Sequence, residues 1–103
     1  MSIRHCVWVK FKSSVGIDER ASIYADLEAL VHKIAGLERA SFGANVSPEG
    51  LDQGFADGFT MDFSDAAARD AYLVDPDHQA AGAKLVAAAE GEVSGILVFD
   101  IEV

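Results

Sequence analysis

Two histidines and a tyrosine are the residues of this chain best suited to proton-transfer chemistry. His5 lies in the opening run Ile3-Arg4-His5-Cys6-Val7-Trp8-Val9-Lys10-Phe11-Lys12. His78 closes the run Tyr72-Leu73-Val74-Asp75-Pro76-Asp77-His78. An imidazole titrates near neutral pH, so two of them beside a phenol can take a proton alpha to a carbonyl and steady the resulting oxyanion. Such a set needs no cofactor. It works only if the fold carries both ends of the chain to one pocket.

Each of these residues also has a plainer reading. His78 is expected as the third residue of a helix, where the positive helix end keeps the ring neutral and suits a general base; otherwise it is an exposed histidine beside a cap. Tyr72 is either an oxyanion donor or a core residue with a satisfied hydroxyl. His5 shares a strand face with Ile3, Val7, Val9 and Phe11, and Asp100 near the chain's end is its expected cross-strand partner. That pair would fix the histidine's tautomer, whether or not the ring does chemistry. Asp57 stands among Phe55, Phe59, Met61 and Phe63 and needs a partner there. Phe42 and Phe59 read equally well as core and as pocket wall. Cys6 has no nearby cation to activate it and reads as a small buried hydrophobe.

The elements that would position these residues follow from periodicity. Residues 3–12 alternate with period two and predict a strand, with Arg4, Cys6, Trp8, Lys10 and Lys12 on its second face. Asp18 to Ala35 predicts a helix whose apolar stripe is Ile23, Leu27, Leu30, Val31 and Ile34, stopped by Gly36. Strands are expected over 37–46 and from Phe55 to Phe63, joined by a polar loop. Ser64 or Asp65 caps a helix through Tyr72. Asp75-Pro76 is the N-cap and first position of another, which runs to about Glu90 with Gly91 as its stop. Residues 94–103 form the last strand. The order β-α-β-β-α-α-β predicts an α+β, ferredoxin-like fold: one domain over 1–103, four antiparallel strands, helices on one face. The second face, bearing Cys6 and Trp8, then needs a cover, and a second copy of the chain is the economical one.

Composition narrows the function. Eight cations against 17 carboxylates give a net charge of −9, which repels a phosphate backbone and an anionic membrane alike. One cysteine excludes an internal disulfide framework. No apolar run reaches the length of a membrane span and no signal peptide is evident, so a cytoplasmic protein is expected. There is no zinc-ligand spacing, P-loop, dinucleotide fingerprint or nucleophile elbow, so no cofactor is expected.

With these elements placed, the chain resembles the Dabb family, the stress-responsive dimeric α/β-barrel domain. The residues that carry the resemblance are the opening run Ile3 to Lys12, Gly43 with Asn45, Glu49 with Gly54-Phe55, and Phe63. To these belong Tyr72 to His78 and the closing Val98-Phe99-Asp100. The Tyr-x-x-x-Pro-x-His run from Tyr72 to His78 is the most specific part. The resemblance implies a homodimer whose two sheets form a barrel, with a cleft in each protomer between sheet and helices. In one branch, plant polyketide cyclases close a linear tetraketide without a cofactor, and their functional residues match His5, Tyr72 and His78. This chain has Asp57 where that branch has a further histidine, and Leu27 where it has a tyrosine; Tyr24 lies one turn earlier. The resemblance further implies a structural magnesium ion in some relatives, held by carbonyls corresponding to Val31, Ile34 and Leu37.

Three functions are therefore open: a cyclase-like lyase acting on a small hydrophobic or aromatic ligand, a non-catalytic stress-associated binding or structural dimer, and a cofactor-free monooxygenase.

Overall fold

Alternation at the start of the chain makes β1 (Ile3–Val9) a strand, and it is one of the two inner strands of the sheet. In the computed structural model, which describes Met1–Val103, β1 pairs antiparallel with β3 (Asp57–Phe63) on one side and β4 (Ile96–Glu102) on the other. With β2 (Leu37–Ala44) outside β3, the order is β2-β3-β1-β4. Helices α1 (Ile17–Glu28), α2 (Ala66–Val74) and α3 (Pro76–Ala88) cover one face, as the ferredoxin-like expectation requires.

The core lies between that face and the helices. Ile3, Val7 and Val9 of β1 meet Phe59, Met61 and Phe63 of β3, with Ile23 and Leu27 of α1, Tyr72 of α2, and Ala81 and Leu85 of α3. Phe63, Leu27 and Tyr72 are fully buried. Each such side chain contributes roughly 1.5–3 kcal/mol by leaving water, so the same residues that fill the core hold the helices in place.

Several boundaries differ from those expected, each for a local reason. The first helix is α only to Glu28 and tightens into a 3₁₀ turn over Ala29–His32. The Leu30 carbonyl there accepts from both Lys33 and Ile34. Gly36 follows with φ +85°, a conformation glycine adopts without strain. Phe55 lies before β3 rather than in it, because its N–H bonds back to Asp52 within a turn that includes Gln53 and Gly54 at positive φ. β2 ends at Ala44, and α2 runs two residues past Tyr72. α3 ends at Ala88 because Ala89 leaves the helix to bridge Phe11, and Glu90 bonds to the Lys10 carbonyl. A 3₁₀ turn over Glu92–Gly95 delays the last strand to Ile96.

The second sheet face carries no helix. Leu97, Phe99 and Ile101 there are 45, 45 and 46% exposed, and Trp8 packs edge-on to Phe99. Cys6 is already buried within one chain, and burial pushes its thiol pKa up, which fits an inert side chain. Beyond Cys6 the face turns polar, where Arg4 and Arg39 both bond Asp62.

Gly58 is the tightest point on that face. It lies opposite Trp8 in the β1–β3 register, and a Cβ placed there would come within 2.6 Å of the Val7 carbonyl and strike the Trp8 ring. The Gly58→Ala protein should therefore lose about 1–3 kcal/mol of stability in urea denaturation. An unchanged midpoint would show that β3 gives way without cost.

Candidate functional site

Register decides where the first histidine sits. His5 pairs with Asp100 across β1 and β4, and both side chains lie on the helix-covered face. The His5 Nδ1–H donates to Asp100 Oδ1 at 2.7 Å; a carboxylate can only accept, so the neutral ring presents Nε2 as its lone-pair nitrogen. Arg69 of α2 donates to the other Asp100 oxygen at 2.6 Å and to Asp70 at 2.8 Å. Burial pushes Asp100 up, but the bonds from His5 and Arg69 overcome it and hold the carboxyl below its ordinary range. The stability this gives is present above the unfolded carboxylate pKa and is lost as pH falls through the folded one.

The second histidine arrives through a helix cap. Asp75 accepts from the Asp77 and His78 N–H groups at 2.8 and 3.1 Å, and Pro76 takes the first helical position. This fixes the step between α2 and α3 and lays the His78 ring on Tyr72, with centroids 3.9 Å apart and planes tilted by 35°. Tyr72 in turn lies edge-on to His5 at 5.8 Å and beside Phe63 at 5.1 Å. The fold thus gathers His5, Tyr72 and His78, with Asp100 and Arg69 behind His5.

Burial tunes this group. It lowers the His78 pKa, the largest cause, with His5 acting in the same direction; the nearby Leu73 and Tyr72 carbonyls and Asp75 oppose it. Desolvation, rather than the helix end, is the main influence that favours the neutral ring. Burial alone raises the Tyr72 phenol well above its ordinary range, so it stays a hydrogen-bond donor. The Tyr72 hydroxyl and His78 Nδ1 are both buried without a partner. Such atoms are uncommon in folded proteins and mark places where a ligand or water completes the bonding.

Tyr24, Asp57 and Phe59 stand elsewhere. Asp57 pairs with Val9, four residues along β1 from His5, or roughly 13 Å at strand rise. Its partner is Arg20 of α1, at 3.4 Å. Tyr24 packs on Phe11, Phe42 and Phe59. A pocket of about 570 Å³ lies on the open sheet face at this end, lined by Trp8, Ser41, Gly58, Thr60 and Leu97 with Phe55 of the loop, and no residue of α1 lines it. It does not reach His5, Tyr72 or His78.

The Val31–Leu37 stretch offers a cation only neutral carbonyls. That of Ile34 already accepts from the Leu37 N–H at 3.2 Å. Nor does any cluster of three or more histidine, cysteine, aspartate or glutamate side chains suit a metal. A ligand set without a carboxylate falls short of what magnesium usually demands.

Arg69 and Arg20 are the two site residues that sequence reasoning missed. Each lies one turn before a tyrosine it accompanies (Arg69 before Tyr72, Arg20 before Tyr24), which was the only signal available.

Comparison with known proteins agrees with the fold. The family model for the stress responsive A/B barrel domain, Dabb, matches residues 3–103. This chain is a Dabb-family protein. A dimeric ferredoxin-like protein of unknown function from Jannaschia sp. CCS1 is 35% identical, with all of both chains covered and a TM-score of 0.93. A Dabb-family protein with a ferredoxin-like fold from Mesorhizobium loti is 26% identical over 99% of this chain and 96% of its own, at TM-score 0.77. The hydroxynitrile lyase from Passiflora edulis shares the fold at 20% identity, over 99% of this chain and 93% of its own, at TM-score 0.87. No curated protein matches the chain. No helix of this Dabb protein is long and apolar enough to cross a membrane.

One further residue bears on access to His78. Gly82 sits mid-helix in α3, where glycine costs about 1 kcal/mol relative to alanine. A Cβ there would meet only His78 Nε2, at 4.0 Å. Packing does not require glycine at this position, and a longer side chain there would lie against that nitrogen. Gly82→Ala should raise stability, whereas Gly82→Leu should slow carbethoxylation of His78 severalfold relative to the exposed His32, read by peptide mass spectrometry. Equal rates in the leucine variant and the parent would show that Gly82 does not govern access.

Proposed function

We propose that this Dabb protein is a homodimer that binds a small hydrophobic or aromatic carbonyl compound and acts on it by cofactor-free acid–base catalysis. The observation that carries the reading is the Tyr72–His78 stack, with a buried unpartnered hydroxyl and a buried unpartnered Nδ1, beside the His5–Asp100–Arg69 chain. His78, held neutral, takes the proton alpha to the carbonyl. Tyr72, held protonated, donates to the oxyanion as charge develops. His5, its Nδ1–H committed to Asp100, offers Nε2 to orient the substrate or return a proton. The hydroxynitrile lyase neighbour supports an acid–base reading without naming the substrate here.

The binding-dimer reading has its own support. His5 is 5% exposed, Tyr72 is fully buried, and the pocket of about 570 Å³ lies at the other end of the sheet. Exchange of the methyl protons of an aryl methyl ketone in deuterated buffer separates the two. On the catalytic reading exchange exceeds the buffer rate, His78→Ala loses about 10²–10⁴ of it, and Tyr72→Phe loses less. Cyanohydrin cleavage provides a second probe. Absence of both activities from the parent protein would leave the binding dimer.

The homodimer follows from the uncovered stripe of Leu97, Phe99 and Ile101 with Trp8, an apolar surface that a second sheet would bury. The dimeric Jannaschia relative supports it. Phe99→Glu or Trp8→Glu should dissociate the dimer in sedimentation. A clean monomer of the parent protein across micromolar concentrations would overturn the assembly.

A further inference from the structure

We infer that Arg69 is a positioning residue for the acid–base group: by balancing the charge of Asp100 it holds His5 neutral, with Nε2 free to accept. Asp100 gives one oxygen to His5, at 2.7 Å, and the other to Arg69, at 2.6 Å. With Arg69 in place, carboxylate and guanidinium sum to zero. A proton on His5 would then leave a net positive charge where the residue is only 5% exposed. Without Arg69 the same proton would complete an imidazolium–carboxylate pair, which a buried histidine beside a lone aspartate favours. A guanidinium keeps its proton at every pH of interest, so the balance does not titrate away.

The groups around His5 do not reverse this count. β3 presents Met61 and Phe63 to the ring, and α2 presents Tyr72. From α3 comes His78, whose burial favours the uncharged form, with the Asp75 carboxylate engaged in its helix cap. Arg4 and Asp62 pair with each other on the opposite sheet face. Asp70 also bonds Arg69, at 2.8 Å, but its side chain is 67% exposed and water screens it.

Arg69 is held in place for this role. Asp65 caps α2 by accepting from the Ala68 N–H at 2.8 Å. Ala68 packs so closely on Gly36 that a Cβ on the glycine would come within 2.6 Å of the alanine Cβ. These contacts fix the helical turn that bears Arg69. Asp70 then takes Nε while Nη1 reaches Asp100.

The balance matters because both histidine rings lie against Tyr72, at 5.8 and 3.9 Å. A charged His5 would oppose proton uptake at His78. With His5 neutral, two imidazoles can accept protons beside one phenol. This consequence for turnover rests on the acid–base reading; the protonation of His5 does not.

The ring resonances of His5, followed across its titration in the full-length protein, report its charge. In Arg69→Met the ring should hold its proton severalfold more tightly than in the parent, and the acid limb of the ketone-exchange profile should move to higher pH with it. Arg69→Lys keeps the charge and should restore most of the parent behaviour. Arg69→Gln keeps a donor without the charge and should titrate like the methionine variant; it decides the matter if that variant does not fold. If Arg69 merely tethered α2 to β4, its loss would lower the unfolding midpoint and leave the His5 titration where it is in the parent, which would overturn the inference. A lysine variant that titrates like the methionine variant would do the same. Absence of exchange from the parent protein would sink the acid–base reading alone, because the titration needs no turnover.

Discussion

Because β1 runs between β3 and β4, every side chain along it has two fixed cross-strand neighbours, and a slip of one residue would turn all of them to the opposite face. Ile3, Val7 and Val9 hold the register by burying on the helix side. Opposite them Phe59, Met61 and Phe63 do the same from β3. His5 is the polar residue carried into that row, and its position opposite Asp100 follows from the hydrophobic pairing on either side of it. The aspartate is then tied to α2 by Arg69, so one carboxylate couples the sheet centre, the last strand and the helix that bears Tyr72. Neither Asp100 oxygen is left unpartnered, which makes so buried a polar link tolerable.

The helix-covered face is divided along its length. At one end the polar groups are His5, Asp100, Arg69, Tyr72 and His78; at the other they are Arg20, Tyr24 and Asp57. Between them the wall is apolar, with Val7, Leu27 and Met61 buried. Separation by roughly 13 Å of strand weakens the direct Coulomb interaction between the two groups, which falls with distance. In both groups a tyrosine is the buried donor and an arginine one turn earlier on the same helix pairs with an aspartate from the sheet.

Much of this was legible in the chain because its signals are local. Period-two runs located the strands, and Asp75-Pro76 located the start of α3 with His78 in its first turn. The split βαβ order made strands one and four antiparallel neighbours, and that was enough to set His5 against Asp100. The failures came where tertiary pairing overrides a local pattern. Phe55 continues the alternation of β3, yet the turn at Gln53 and Gly54 removes it from the strand. Ala89 and Glu90 continue a helical pattern, yet pairing with Phe11 and Lys10 draws them out of it. Arg69 and Arg20 were hidden for the same reason: their partners lie 31 and 37 residues away and depend on how helix and sheet meet.

Tyr72 shows why core and site are hard to separate in so small a domain. A chain of 103 residues has one core, and any pocket between its sheet and helices must be walled by residues that also hold the fold together. Tyr72 is fully buried and touches His5, Phe63 and His78, so its ring is structural on any reading. Only the hydroxyl is left unexplained by packing, since it is buried with no bond. A phenylalanine would fill the same space without that desolvation cost, about 1–3 kcal/mol for an unpaired polar group. The same argument applies to Tyr24, whose hydroxyl is equally unpaired while its ring packs in the aromatic cluster. Two tyrosines that packing alone would replace by phenylalanine place the unexplained chemistry of this fold at two atoms, one at each end of the sheet.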